Sequence, residues 1–205
     1  MDINNRLLGA VMCGGKSTRM GVDKSLLSTN GVTWGEMALR KLFQCKNIDQ
    51  FAMSINSTQV SVFKQMKLPN TELVKDCVDI QGPLGGILSL HQRFPNSDIL
   101  IIGCDIIDIN KETIENLILK YEKYDPEFEC YLYSYKNEPE PLLSLFSCKA
   151  LQKINRLYEQ KKLQKFSMKY ILESLKVFDI ELNNKQYVLF KNYNHKSDLI
   201  DNNHG

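Results

Sequence analysis

The chain of 205 residues is close to charge balance, with 26 Lys and Arg against 24 Asp and Glu and a formal net charge of +2. This balance gives no overall positive field for nucleic acid, and no apolar run approaches the roughly 20 residues that cross a bilayer. Hydrophobic residues make up 43% of the chain, enough for the core of one large domain, so we expect a single domain over 1–205, located in the cytoplasm, with neither nucleic acid nor a membrane as a partner.

Hydrophobic periodicity predicts strands and helices in alternation along the chain. The predicted strands are 7–12, 51–55, 72–74, 98–103, 129–135, 142–146, 176–180 and 187–190, and the predicted helices are 34–43, 58–66, 85–94, 112–121, 149–160 and 166–175. Pro139 and Pro141 fall between two of the strands, at positions that a central strand would not tolerate. The alternation predicts an α/β fold with a mostly parallel central sheet covered on both faces.

The six cysteines are widely spaced, with no Cys-x-x-Cys pair, and the three histidines are not near one another in sequence. This spacing argues against a zinc site and against a disulfide framework. We therefore expect free, buried thiols in a reducing compartment.

The stretch 8–27, LGAVMCGGKSTRMGVDKSLL, combines a short buried strand with a glycine turn and several cations. Gly14 and Gly15 allow backbone N–H groups to approach an anion closely. Lys16, Arg19 and Lys24 follow within ten residues of the turn. This combination predicts a phosphate-binding loop.

Two common phosphate-binding motifs do not fit this loop. A P-loop requires a glycine where the chain has Ala10, and the dinucleotide-binding fingerprint requires a spacing that Gly14, Gly15 and Gly21 do not provide. A kinase-like or GTPase activity based on a P-loop is therefore disfavoured.

The run GGKSTRMGVDK, from Gly14 to Lys24, with Leu26-Leu27 just beyond, resembles the signature Gly-Gly-x-Ser-x-Arg-Met-Gly-x-Asp-Lys of nucleotidyltransferases with a GT-A-like Rossmann fold. With aspartate before the lysine, it is most similar to the molybdenum cofactor guanylyltransferases, the MobA family. The resemblance implies a single-domain, three-layer fold, with 1–105 as the mainly nucleotide-binding half and 106–200 as the mainly acceptor-binding half.

Asp105 directly follows the predicted strand 98–103, so it would emerge at the same edge of a parallel sheet as the glycine loop. A carboxylate there could hold Mg²⁺ against phosphate oxygens; a turn or helix N-cap aspartate is the alternative. The family has Cys-Asp-x-Pro at this point, whereas Cys104-Asp105-Ile106-Ile107 lacks the proline, and Asp108 nearby is a candidate second ligand.

The segment 75–87, KDCVDIQGPLGGI, resembles the part of the family fold that surrounds the purine base. Asp76 can accept hydrogen bonds from the N1–H and 2-amino groups of guanine. The resemblance therefore implies GTP, bound through Asp76 and the backbone at Gly82. Where family members often carry an asparagine at the end of the second strand, this chain has Ser54, with Asn56 two residues on.

The implied reaction transfers GMP from GTP to the terminal phosphate of molybdopterin, which gives molybdopterin guanine dinucleotide and pyrophosphate. The resemblance implies catalytic roles for Arg19, Lys24 and Asp105, with Mg²⁺ on Asp105. The implied GTP site consists of Met12, Cys13, Gly14, Gly15, Ser17, Lys24, Ser54, Asn56, Asp76, Gly82 and Asp105. A molybdoenzyme or another cofactor-biosynthesis protein is a further candidate partner.

Similarity to the family is weaker after residue 105 and rests on 138–146 and 190–194. The lysines at 161, 162, 165 and 169 could receive an anionic acceptor or a partner enzyme, although a solvated helix face is the preferred interpretation. Two alternatives to the guanylyltransferase stay open. One is a related nucleotidyltransferase that uses CTP or UTP with a molybdopterin, sugar phosphate or polyol phosphate, and the other is a non-catalytic GTP-binding regulator.

Overall fold

The computed structural model describes residues 6–14 and 23–193 of the chain. Within them, seven strands form one sheet in the order β5-β4-β1-β6-β8-β7-β9. These strands are β1 (Arg6–Met12), β4 (Gln50–Ile55), β5 (Thr71–Lys75), β6 (Ser97–Gly103), β7 (Cys130–Tyr135), β8 (Glu138–Phe146) and β9 (Val177–Glu181), and β2 (Ser28–Thr29) and β3 (Val32–Thr33) form a separate small hairpin. In the seven-stranded sheet, β8 pairs antiparallel with both neighbours and the other pairs are parallel, which confirms the predicted α/β fold with a mostly parallel sheet.

Helices cover both faces of the sheet and make three layers. They are α1 (Trp34–Phe43), α2 (Val60–Gln65), α3 (Pro83–Arg93), α4 (Lys111–Tyr124), α5 (Cys148–Glu159), α6 (Met168–Glu173) and α7 (Asn184–Tyr187). One hydrophobic cluster joins the sheet to α1, α2 and α4, and a second joins it to α3, α5 and α6. Alternate β1 side chains pack into the two clusters, as the two-residue period of a strand requires. Val11 belongs to the first cluster, and Ala10 and Met12 belong to the second.

Local sequence explains where several helices begin. The Thr33 hydroxyl accepts from the Glu36 amide at the start of α1, and Asn110 and Ser147 cap α4 and α5 in the same way. Side-chain oxygens at these positions satisfy amides that have no partner inside the helix.

The two prolines lie inside β8, which the sequence pattern did not predict. Because the pairing of β8 with β6 runs only from Phe146 to Leu143, Pro139 pairs with β7 alone, and Pro141 lies at a break in the β7 register. A missing N–H costs little where a strand has no neighbour on one side, and the strand therefore starts at Glu138 instead of residue 142.

The predicted strand 187–190 is wrong: α7 ends at Tyr187, and Val188–Phe190 forms a 3₁₀ helix. The Asn183 side chain accepts hydrogen bonds from the backbone amides of Lys185 and Gln186, and the Gln186 side chain accepts one from the Asn183 backbone amide. Such a capping box stabilises a helical turn and overrides the apolar pattern that favoured a strand.

The cysteines and lysines agree with the sequence-based expectations in most positions. All six cysteines are free, and five are buried, but Cys77 is exposed. The lysines at 161, 162, 165 and 169 are exposed, as expected, but only Lys169 lies in a helix, because residues 160–167 connect α5 to α6. No helix of the described residues is both long enough and apolar enough to cross a membrane.

Candidate active site

A cavity of about 200 Å³ lies at the carboxyl ends of β1 and β6. The two strands are direct neighbours in the sheet, with Met12 opposite Gly103, so the segments that follow them start side by side. The cavity is lined by Met12, Cys13, Gly14, Asp23, Lys24, Gly82, Pro83, Gly103, Cys104, Asp105 and Leu142. Ligands of open parallel sheets bind at this edge, and six of the residues that the sequence predicted for the site lie here.

Lys24 and Asp105 form an ion pair in this cavity, with Lys24 Nζ 2.9 Å from Asp105 Oδ2. Their side chains are 22% and 15% exposed, so both can be reached from the cavity. The pair brings together the end of the glycine loop and the end of β6, as the sequence predicted. An ammonium and a carboxylate at one position can bind a phosphate oxygen and a cation respectively.

Gln59 is a buried residue of this region that sequence reasoning missed. Its Nε2 lies 2.6 Å from Asp23 Oδ2, 2.9 Å from the Cys13 carbonyl oxygen and 2.9 Å from Ser25 Oγ, and the side chain has no solvent exposure. Asp23 Oδ1 in turn accepts from the amide and hydroxyl of Ser25, at the start of the 3₁₀ helix Lys24–Leu26. A lone glutamine before a short helix carries no sequence signal for this role.

Asp76 lies beside the glycine loop, at the end of β5. Its Oδ1 accepts from the Ser54 hydroxyl at 2.6 Å, and a side chain at Gly14 would collide with Oδ2. Burial raises the pKa of the Asp76 carboxyl, against the opposing effect of the Ser54 hydrogen bond. Gly86 of α3 also packs too closely for a side chain, since a Cβ there would lie 2.7 Å from Met12 Cε. Gly14 and Gly86 therefore allow β1, β5 and α3 to meet around the Asp76 carboxylate.

Ser54 is fully buried and its hydroxyl donates a hydrogen bond to Asp76, so it fixes the orientation of that carboxylate. Asn56 Oδ1 accepts from Thr58 and from the Gln59 amide in the turn that leads into α2. These two residues therefore stabilise the wall of the site through protein contacts. Gly82 is exposed at the start of α3 and lines the cavity.

The amides of Cys13 and Gly14 are both used within the protein. Each donates to the Ser54 carbonyl oxygen, at 3.0 Å and 3.1 Å. The anion contact expected from the Gly14 N–H group is therefore not available in this conformation, because β1 continues its pairing with β4 past Met12. Burial and a hydrogen bond with Cys104 raise the pKa of the Cys13 thiol, which keeps it neutral.

Gly15, Ser17 and Arg19, which the sequence predicted for the site, lie outside the described residues, as does Lys16. The structure describes the two ends of that loop, at Gly14 and Asp23.

Asp108, the candidate second metal ligand, is engaged away from the cavity. Its carboxylate accepts from the Tyr193 hydroxyl, and it faces Lys41, whose pKa burial lowers to about 8 against the opposing effect of Asp108. The Tyr193 amide donates to the Asp105 carbonyl oxygen at 3.0 Å. Tyr193 thus fixes the loop that lacks the family proline.

The donor set in the cavity fits a magnesium ion held mainly by its substrate. Among the described residues, no group of three or more His, Cys, Asp or Glu side chains is arranged to bind a metal, and Asp105 is the predicted ligand. Mg²⁺ commonly takes one or two carboxylates and completes its shell with phosphate oxygens and water. The accessible Asp105 carboxylate beside the Lys24 ammonium is consistent with that mode.

Comparison with known proteins identifies the family of this chain. A protein 34% identical over 71% of this chain is the "Molybdenum cofactor biosynthesis bifunctional protein" of Synechocystis sp., of whose length the match spans 40%. A "Probable molybdenum cofactor guanylyltransferase" of Clostridium perfringens is 25% identical over 90% of both chains. The crystal structure of "Molybdopterin-guanine dinucleotide biosynthesis protein A" from Archaeoglobus fulgidus superposes with a TM-score of 0.74 at 22% identity, over 95% of each chain. The model of the MobA-like NTP transferase domain matches residues 9–174, and the chain therefore belongs to that nucleotidyltransferase family.

Proposed function

We propose that this nucleotidyltransferase transfers GMP from GTP to the terminal phosphate of molybdopterin and releases pyrophosphate. The observation that carries the proposal is the cavity in which the Lys24 ammonium and the Asp105 carboxylate lie 2.9 Å apart, next to the Asp76 carboxylate. The relatives of Synechocystis and Clostridium perfringens carry names that fit this reaction.

The chain's own groups act by positioning and by charge. Lys24, together with Arg19, would stabilise the negative charge that develops on the departing pyrophosphate. A phosphate monoester has a second pKa near 6 and is already largely ionised at neutral pH, so the acceptor needs no general base from the protein. Mg²⁺ bound at Asp105 would supply Lewis-acid activation of the phosphates.

Guanine would be selected by Asp76. Its Oδ1 is fixed by Ser54, and an ionised carboxylate can accept from both the N1–H and the 2-amino group of guanine. Gly82 and the other predicted GTP-site residues would shape the pocket around the base and sugar.

The two halves of the chain would divide the work, with 1–105 binding the nucleotide and 106–200 binding the acceptor. Leu142 supports this division, because it lines the same cavity from β8. The cytoplasm is the expected location, and a molybdoenzyme or another cofactor-biosynthesis protein is the expected recipient of the product.

Pyrophosphate release with Mg²⁺ and molybdopterin, measured in parallel with GTP, CTP, ATP and UTP, tests the proposal. Release with GTP alone is the expected result. Release with CTP or UTP would favour a related nucleotidyltransferase, and GTP binding without turnover would favour the non-catalytic regulator.

A further inference from the structure

Gln59 links three segments that meet at the site. It lies at the start of α2, and its side-chain amide reaches the end of β1 at the Cys13 carbonyl and the end of the glycine loop at Asp23 and Ser25. Its Oε1 accepts from the Asn56 amide at 2.8 Å. Because both ends of the side-chain amide are engaged and fully buried, its orientation is fixed.

Asp23 transmits this constraint to Lys24. One carboxylate oxygen of Asp23 accepts from Gln59, and the other accepts from the Ser25 amide at 3.0 Å and the Ser25 hydroxyl at 2.7 Å. The two oxygens therefore connect α2 to the first turn of the helix Lys24–Leu26. Lys24 lies between Asp23 and Ser25, which both make these hydrogen bonds, so the position of the Lys24 backbone depends on them.

We propose that Gln59 is a positioning residue, which holds Asp23 and thereby fixes the Lys24 ammonium against Asp105 for phosphate binding. The inference rests on the proposed function for its kinetic consequences. Gln59 lines no part of the cavity and would act on the substrate only through Lys24. An isosteric apolar side chain would leave the buried Cys13 carbonyl oxygen and the Asp23 oxygen that faces Gln59 without this donor, and Lys24 would lose its fixed position.

The first test is a double-mutant cycle of Gln59→Met and Lys24→Ala, read as the kcat of pyrophosphate release with the nucleotide that the unmodified protein uses. A displacement of about 1 Å can cost up to ~100-fold in rate, and we expect Gln59→Met to lower kcat by ~10- to 100-fold. If Gln59 acts through Lys24, the double variant is within roughly threefold of Lys24→Ala alone. If the kcat of the double variant instead falls by the product of the two single-variant losses, the inference is overturned.

Gln59→Glu provides a second readout that a general loss of stability would not produce. Among the described groups that contact the side chain at position 59, Asp23 is the one that carries a carboxylate. The introduced carboxylate would repel Asp23 when ionised, whereas its protonated form could donate to Asp23 as the amide does. The activity of Gln59→Glu relative to wild type should therefore rise as pH falls from 8 to 6, while the ratio for Gln59→Met stays flat; equal flat ratios would contradict the inference.

A third readout does not require turnover. Acetylation of Lys24 by an amine-reactive ester, measured by peptide mass spectrometry, should be several-fold faster in Gln59→Met than in wild type. Lys153 is the internal standard, because it forms an ion pair with Glu129 and neither residue lines the cavity. Unchanged Lys24 reactivity would refute the positioning role. A wild-type protein that is inactive with every nucleotide would instead refute the proposed function.

Tyr121→Phe is the matched control for lost buried polar contacts. Its hydroxyl donates to Asp98 at 2.6 Å, at the opposite end of β6, about 20 Å from Asp105 along the strand. We expect a loss of stability in this variant with kcat and Lys24 acetylation unchanged. A decrease in kcat equal to that of Gln59→Met would show that the effect is not specific to position 59.

Discussion

At the scale of single residues, the site depends on charges that stay accessible while their surroundings are fixed. Lys24 and Asp105 are 81 residues apart in sequence and 2.9 Å apart in space. If a triphosphate binds as proposed, the Lys24 ammonium would give up part of this contact, because phosphate oxygens would compete with Asp105 for it. In the proposed reaction, the same competition would free the Asp105 carboxylate to bind the metal ion that accompanies the triphosphate.

Lys24→Ala and Asp105→Ala should each lower kcat for pyrophosphate release by at least ~100-fold, by comparison with the removal of one electrostatic stabiliser elsewhere. Lys64→Ala, which removes an exposed lysine of α2, is the matched control and should leave kcat unchanged. Turnover within threefold of wild type in either site variant would contradict the assignment.

Protonation of Asp76 should weaken GTP binding. Burial raises the pKa of this carboxyl, and the neutral form cannot accept from both guanine donors. KM for GTP should therefore rise as pH falls through the raised pKa, starting at a higher pH than an ordinary aspartate would give. Asp76→Asn should raise KM for GTP and remove this pH dependence.

The control for Asp76→Asn is Asp79→Asn, an exposed aspartate of the same segment. Steady-state kinetics with GTP across the acid range should show wild-type behaviour for Asp79→Asn. A KM for GTP that is independent of pH in the wild-type protein would remove Asp76 from base recognition.

At the scale of elements, the sequence predicted those features that depend on local pattern. The glycine turn after β1 and the aspartate after β6 could be placed together because parallel strands end at one edge. Gln59 could not be predicted, since its partners are 34 to 46 residues away and no local pattern marks a buried donor. The prolines of β8 were misplaced because their tolerance depends on which strand pairs beside them, which is a tertiary property.

The close approach of α3 to the preceding loop leads to a prediction for Gly85→Ala. Alanine favours a helix over glycine by about 1 kcal/mol, but its Cβ would collide with the Ile80 carbonyl oxygen, which belongs to the backbone. Overpacking of this kind costs about 1–3 kcal/mol, and with backbone on both sides we expect a net loss near 2 kcal/mol. Thermal unfolding should show Tm lower by about 4–8 °C.

Gln92→Ala, on the exposed side of the same helix, is the control for this helix. It should leave Tm nearly unchanged because surface substitutions usually change stability by less than about 0.5 kcal/mol. A Gly85→Ala protein as stable as wild type would mean that α3 can move away from Ile80 without cost.

At the scale of the whole molecule, the end of the described chain returns to the site. Phe190 and Tyr193 are both buried, and Tyr193 packs edge-on against Trp34 of α1, with ring centroids 6.4 Å apart. The Tyr193 amide also holds the Asp105 carbonyl. The C-terminal end of the described residues thereby stabilises the loop that carries the candidate metal ligand, so stability and activity should be coupled through Tyr193.

Two substitutions at position 193 separate packing from hydrogen bonding. Tyr193→Phe keeps the ring and removes the hydroxyl that donates to Asp108, so we expect a loss of about 1–3 kcal/mol in the free energy of unfolding. Tyr193→Ala also empties the space beside Trp34 and should cost about 3–5 kcal/mol, as for other large aromatic deletions. Urea denaturation measures both. Equal losses of unfolding free energy in the two variants would mean that the Tyr193 ring contributes nothing beyond its hydroxyl. Packing of Tyr193 would then not stabilise the loop at Asp105, contrary to what its burial indicates.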